Sequence, residues 1–392
     1  MPVIAEHLGI NPNRIVFTGN DVLPAVGALG FEIELEGIHG GRWPQNIEGW
    51  ARKDDGSLRN GKEYIFNGPQ SGDEALASLR AMAAKMTEVG VDPTFRCSTH
   101  VHLDVRDFNW DQYERTVLLY MVFEDMFFDH CQPYRRHSNF CVPFQSNDWL
   151  SQYFGQRVIG CDSFANKFAH LQLWPKYSGL NLQVTTSFGS IEFRGSHAIV
   201  DEVELIGLAQ RMLYLKKFVV EDESADHYEF LAKVATKDVA DVFPVGLRDG
   251  YTMEDGAMAQ GLSTAYHALA MGGLARVAQA ATQAAPRRDH GGNRVGDLAS
   301  NISRNVNMCL RSEARWDSNE LLRHNIQTVT GAATLLGGLR MVAALNSLYA
   351  TETVKLSDVM TGYNPEHYNY LRTNTGYLAT SNGLGGCTVD WF

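Results

Sequence analysis

Glutamates alternate with large apolar residues along Gly30-Phe-Glu-Ile-Glu-Leu-Glu36. A β-strand places residues two apart on one face. Phe31, Ile33 and Leu35 would therefore enter a core, while Glu32, Glu34 and the next alternate residue, Glu36, line the opposite face. Carboxylates this close repel and raise one another's pKa, and a metal cation among them removes that cost. The same alternation returns in His100-Val-His102 and in Ile191-Glu192-Phe193-Arg194. Three such strands predict a sheet whose polar face holds divalent cations and an anionic ligand.

The chain has 392 residues, which is room for two or three domains or for one large fold with an appendage. At 44% hydrophobic and 20% charged residues it can bury a large core. A net charge of −11 argues against a surface that coats nucleic acid, although it permits a local basic cleft. The cysteines (Cys97, Cys131, Cys141, Cys161, Cys309, Cys387) are scattered without a Cys-x-x-Cys pair. That spacing argues against a thiolate zinc site and points to a reducing, cytoplasmic compartment. The start, Met1-Pro-Val-Ile-Ala-Glu-His7, lacks the basic and apolar run of a signal peptide. The most apolar stretch, 256–285, carries Gln, Ser and Thr and reads as a buried helix rather than a membrane span.

Along the chain, 1–27 is a polar lead-in. Strands are predicted at 28–39, 63–66, 95–105, 180–184 and 190–194, with a turn at Asp55-Gly56. Helices are predicted at 73–89, 110–131 and 201–219, the first from apolar positions recurring at three and four. Residues 132–175 read as loop-rich and aromatic. From 220 to 392 the pattern is mainly helical, including 256–283 and 327–350, with an irregular end from Asn374. The expected organisation is a lead-in (1–27), an α+β catalytic core (28–219) and a helical C-terminal region (220–392).

Several motifs compete for the chemistry. Gly56-Ser-Leu-Arg-Asn-Gly61-Lys62 approaches a P-loop but has Glu63 where Ser or Thr should reach magnesium, and no helix pattern follows. His100-Val-His102-Leu-Asp104 resembles the start of a binuclear metallohydrolase motif, but Val105 stands where a further His is required. Glu192 and Arg194 on one face could form a cross-strand salt bridge, or divide the work between a metal and a phosphate. Arg287-Arg288 and Arg294 read as surface, as do the glutamates of 201–223.

Taken in order, Gly30-Phe-Glu-Ile-Glu34, Trp50 with Asp55-Gly-Ser-Leu58 and Glu63, Cys97-Ser-Thr-His-Val-His102, Lys176-Tyr-Ser-Gly-Leu-Asn181 and Ile191-Glu-Phe-Arg194 resemble the amidoligase family over residues 28–215. That family occurs in phages, bacteria and fungi and is related to glutamate–cysteine ligases, glutamine synthetase and the guanidino kinases. The resemblance implies a curved antiparallel sheet forming a funnel, with flanking helices. It also implies ATP with Mg2+ (Mn2+ able to substitute) on Glu32, Glu34, Asp55, Glu63, His100 and Glu192. Arg194 would meet the transferred phosphoryl group, with Glu192 beside it, and Lys176 and Asn181 would assist nucleotide binding. Ser98-Thr99 departs from the Gly usual before the His, and Phe66-Asn-Gly68 from the usual Ser-Pro.

The activity expected from the resemblance is ATP-dependent amide-bond formation through an acyl phosphate. The partners would be small-molecule or peptide carboxylates and amines, without nucleic acid or membrane, and with homo-oligomer assembly open. The location would be cytoplasmic, in the host if the chain is phage-encoded. Carboxylate ligands favour hard ions such as magnesium over zinc, in keeping with this expectation. Loops 40–50 and 132–155 are candidate lids. The alternatives are a hydrolase built on His100, His102 and Asp104, a non-catalytic protein on a ligase fold, and a phosphotransferase on the same fold.

Overall fold

The computed structural model describes residues 2–39 and 42–283. The helices expected at 327–350, the basic stretch at Arg287, Arg288 and Arg294, Cys309 and Cys387 lie outside the described residues. Six strands form one open antiparallel sheet: β1 (Leu29–Leu35), β2 (Trp50–Lys53), β3 (Lys62–Phe66), β4 (Ser98–Asp104), β5 (Leu180–Asn181) and β6 (Ser190–His197). Their order across the sheet is β2-β3-β1-β4-β6-β5. The three alternating strands of the sequence, β1, β4 and β6, are thus direct neighbours at its centre.

Two compact units are distinguished, one comprising 1–147 and 168–261 and the other 148–167 with the residues from 262 onward. The first holds the sheet and the helices α1 (Ile4–His7), α2 (Gly72–Val89) and α3 (Trp110–Asp129). The second contains α4 (Asp148–Phe154), which runs on as a π-turn at Gly155–Ile159, and α5 (Phe164–Gln172) begins in it. Back in the first unit follow α6 (Thr185–Phe188), α7 (Glu202–Val220), α8 (His227–Val234) and α9 (Val239–Val242), and α10 (Asp255–Gln283) passes from it into the second.

One face of the sheet is dry. Phe31, Ile33 and Leu35 of β1, Val101 and Leu103 of β4, and Ile191 and Phe193 of β6 are all buried. Helix α7 packs against β4, and α3 against β6. The Phe193 ring lies 6.1, 5.2 and 5.8 Å from the rings of Tyr120, Phe127 and Phe128 on α3. Towards the β2 edge of this same face, Trp50 and Phe66 meet at 4.5 Å beside Phe31, and Trp50 Nε1 donates to Ser78 O of α2 (2.8 Å). Helix α3 begins at a reciprocal cap between Asn109 and Gln112, and α7 begins with Asp201 accepting the Glu204 amide.

Several sequence expectations are corrected here. The lead-in is part of the core: the amides of Ile4 and Ala5 donate to Phe108 O and Arg106 O (2.9 and 2.8 Å), and Ile4, Ala5 and Leu23 are buried. The buried Lys216 ammonium lies 4.6 Å from the Phe17 ring and 4.7 Å from the Phe108 ring, binding lead-in to α7. The strand expected at 180–184 is only two residues long, because Asn181 Oδ1 accepts the Gln183 amide and the chain turns into α6. Residues 132–175 are rich in short helices rather than loops. In the second unit Gly155 permits close approach, since a Cβ there would lie 2.1 Å from Ala268 O of α10. The Arg276 guanidinium donates twice to Ile159 O (2.7 and 3.1 Å).

No helix among the described residues is long and apolar enough to cross a membrane. Phe193→Ala, which removes the ring that joins the sheet to α3, should cost about 3–5 kcal/mol. Denaturant unfolding monitored by circular dichroism checks this.

Candidate cation-binding site

The opposite face of the sheet gathers the polar residues of β1, β3, β4, β5 and β6. Glu32 pairs in register with His100, Glu34 with Glu63, and Glu192 with both His102 and Asn181. Two neighbouring groups result. Glu32, His102 and Glu192 each offer a ligand atom within 4.8 Å of the others, and so do Glu34, Asp55 and Glu63. His100 Nδ1 stands between two members of the first group, 3.3 Å from Glu32 Oε2 and 3.3 Å from Glu192 Oε1. Asp55 is held by its turn, where its carboxylate accepts the Ser57 amide at 2.7 Å.

Side chains beneath the face fix these groups. Ser98 Oγ donates to Glu34 Oε2 (2.5 Å) and lies 2.9 Å from His100 Nε2. Ser190 Oγ lies 3.1 Å from His102 Nδ1, which leaves Nε2 facing Glu32 Oε1 at 3.5 Å without a hydrogen-bond partner. Asn181, expected among the nucleotide contacts, is buried and donates to Glu192 Oε2 at 2.7 Å. Arg194 donates through one terminal nitrogen to Glu192, and its buried Nε has no hydrogen-bond partner.

The β6 strand departs from regular pairing at this point. Between the pairs Thr99–Ser196 and Val101–Phe193, the single residue His100 faces both Arg194 and Gly195. Such a bulge leaves backbone groups unpaired and re-aims a side chain. The buried Arg135 fills the gap, donating to Arg194 O (2.7 Å) and Gly195 O (3.1 Å). Gly195 is required there, because a Cβ would lie 2.5 Å from the Phe193 ring.

The electrostatics match the crowding. Burial opposes ionisation of Glu32, yet His100 and His102 outweigh it and hold this carboxyl well below its usual range. Glu63 is pushed up, first by burial and then by the charges of Glu32, Asp55 and Glu34. The two ends of the face thus differ: imidazoles balance Glu32, whereas the Glu34–Asp55–Glu63 end has no ion pair to a cationic side chain among the described residues, and His100 only partly offsets the charge at Glu63.

Three other candidates sit elsewhere. Glu36 lies past the end of β1, where it accepts the Arg59 amide and the Thr94 hydroxyl (2.9 Å) with Arg96 at 3.6 Å. The Arg59 amide, with Thr94 and Arg96, holds its carboxyl low against burial. Asp104 is taken up by Arg106, whose Nε lies 3.0 Å from each carboxylate oxygen, so His100, His102 and Asp104 do not converge. Lys176 is exposed, with its ammonium 5.7 Å from the Tyr177 ring centroid, and among the described residues it forms no ion pair with these carboxylates. A further grouping, Asp111–Glu114–His227, contains an ion pair between His227 Nε2 and Glu114 Oε2 at 2.8 Å.

Residues 67–206 match the family model described as "Putative amidoligase enzyme". This segment is similar to that family, and the match supports a ligase-type enzyme at a coarse level. The matched stretch carries β4, β5 and β6 with His100, His102, Glu192 and Arg194, while Glu32, Glu34 and Glu63 precede it. No curated protein matches the chain.

Glu63 supplies a test of the charge balance. A carboxyl whose pKa is raised on folding contributes stability below its ordinary value of 4.5, and this is lost as pH rises through the higher folded value. Glu63→Gln should therefore stabilise the cation-free protein near neutral pH by up to about 1 kcal/mol, and by less in acid. Thermal melts across the acid-to-neutral range read this directly.

Proposed function

We propose that the chain is an ATP- and Mg2+-dependent carboxylate–amine ligase. The observation that carries this reading is the pair of neighbouring oxygen-rich groups on one sheet face, with Arg194 aimed along it from the β6 bulge. The residues present fit the cation. Glu34, Asp55 and Glu63 form a hard, all-carboxylate set suited to magnesium. Glu32, His102 and Glu192 form a second set in which His102 Nε2 is buried without a hydrogen-bond partner. His100, between Glu32 and Glu192, would complete or brace that set.

Bound magnesium would neutralise the β- and γ-phosphate oxygens of ATP. The protein's own part is positional and electrostatic. Asn181 and Ser98 hold Glu192 and Glu34 in place, and Arg135 holds the Arg194 backbone. Arg194 would stabilise the equatorial oxygens while a substrate carboxylate oxygen attacks the γ-phosphorus and the bond to ADP breaks. An amine nitrogen then attacks the acyl carbon of the acyl phosphate. The carbon–oxygen bond to phosphate breaks, and the amine gives up a proton.

Water must be kept from the acyl phosphate, a role we assign to the segments around 42–50 and 132–147. The sheet would be of the glutamine synthetase and guanidino kinase kind. We assign the choice of amine and carboxylate to the region from 220 onward. The hydrolase alternative is disfavoured by the Asp104–Arg106 pairing.

Thermal stability with Mg2+ and ATP together, against either alone, tests the nucleotide site. At roughly a hundred times the dissociation constant, bound ligand adds about 2.7 kcal/mol. The gain should require both components and vanish in Glu32→Ala. Release of ADP should in turn require both an amine and a carboxylate. Retained activity in Glu32→Ala would sink the assignment, and tightly bound zinc without an ATP response would favour a hydrolase.

A further inference from the structure

Phe188 is an apolar side chain in a place where an apolar side chain gains nothing by itself. It is 67% exposed, yet its ring stands 6.2 Å from the His102 ring at 85°, at the edge of the cation-binding face. Its position is not that of a loose loop. Phe188 ends α6, and its corner is tied from both sides. The buried Thr185 hydroxyl donates to Ser190 O (2.8 Å) and lies 3.0 Å from the Tyr113 hydroxyl. The Val105 amide donates to Gly189 O at 2.9 Å. Gly189 has φ +67°, and a Cβ there would lie 2.2 Å from Arg106 Cγ and 2.8 Å from Leu8 Cδ1. The backbone therefore holds a phenyl ring out beside His102.

The strand gives this ring a direction. On the polar face of β6 the order from the corner is Ser190, Glu192, Arg194, with Ser190 bonded to His102 and Arg194 at the bulge. From Ser190 to Arg194 is four residues of strand, roughly 13 Å. If Arg194 meets the γ-phosphoryl group and Glu192 lies under the metal-bound phosphates, the remainder of the nucleotide runs away from Arg194. The path along β6 away from Arg194 passes Ser190 and His102 and reaches Phe188.

We infer that Phe188 is the wall on which the purine ring of ATP stacks, so that the corner between β5 and β6 is the nucleobase end of the site. The inference rests on the ligase reading for the ATP, but Phe188 is not among the residues used there. A purine offers the flat π-face that an exposed phenyl ring can cover, and base–aromatic stacking contributes substantially where proteins bind single-stranded nucleic acid.

The test compares two ligands on the intact chain in the presence of Mg2+: ATP, and inorganic tripolyphosphate, which has the phosphates without the ring. Binding is followed by calorimetry for wild type, Phe188→Ala and Phe188→Trp. Phe188→Ala should weaken ATP at least about fivefold while leaving tripolyphosphate unchanged, and Phe188→Trp should restore ATP. Equal weakening of both ligands, or no change in either, would overturn the stacking role. Absence of binding by both ligands to the wild type would instead overturn the ATP reading on which it rests. Circular dichroism melts of the variants separate either result from misfolding. Phe188 is exposed, so its substitution leaves the core intact.

Discussion

Glu32, Glu34, Glu63 and Glu192 share one face of the sheet, where carboxylates repel one another unless positive charge lies among them. At one end the protein supplies that charge itself, through His100, His102 and Arg194. At the other, Glu34, Asp55 and Glu63 have no such partner among them, and Glu63 is pushed towards protonation. The strand order serves this crowding: β1 sits between β3 and β4, so the carboxylates of one strand face those of the next. The dry face, held by α3 and α7, fixes the spacing at which they meet.

The bulge in β6 is the second device. Regular pairing would set Arg194 opposite a single partner, but the extra residue re-aims it and leaves two carbonyls open. Arg135, buried and far away in sequence, closes both. Asn181, Ser98 and Ser190 do the same for Glu192, Glu34 and His102. Arg194, Glu192, Glu34 and His102 are thus oriented by neighbours outside the two carboxylate groups, a level of support that precise electrostatic work demands.

Period-two alternation made β1, β4 and β6 readable from sequence, and with them Glu32, Glu34, His100, His102, Glu192 and Arg194 on one face. Ser98 shares that face, two residues before His100, but a serine so placed carries no chemical signal of its own and sequence reasoning missed its role. Alternation reports a face and not a partner. Asp104 and Glu36 followed the same pattern, yet Arg106 and the Arg59–Thr94–Arg96 loops captured them. Pairing register was illegible, so the meeting of Glu63 with Glu34 rested on family resemblance. Single-turn elements such as α1 and α6 lack the length to show a period, which hid both the buried lead-in and the corner that presents Phe188. Arg135 gave no signal at all, since its partners are backbone carbonyls sixty residues on.

The role proposed for this face is to hold divalent cations. Counting bound Mn2+ per chain by electron paramagnetic resonance near neutral pH, in the presence of ATP, tests it most directly. Two neighbouring ions, coupled in the spectrum and reduced to one when Glu34 and Glu63 are both changed to Gln, is the result expected from the two groups. No bound Mn2+ in a folded wild-type chain would contradict it.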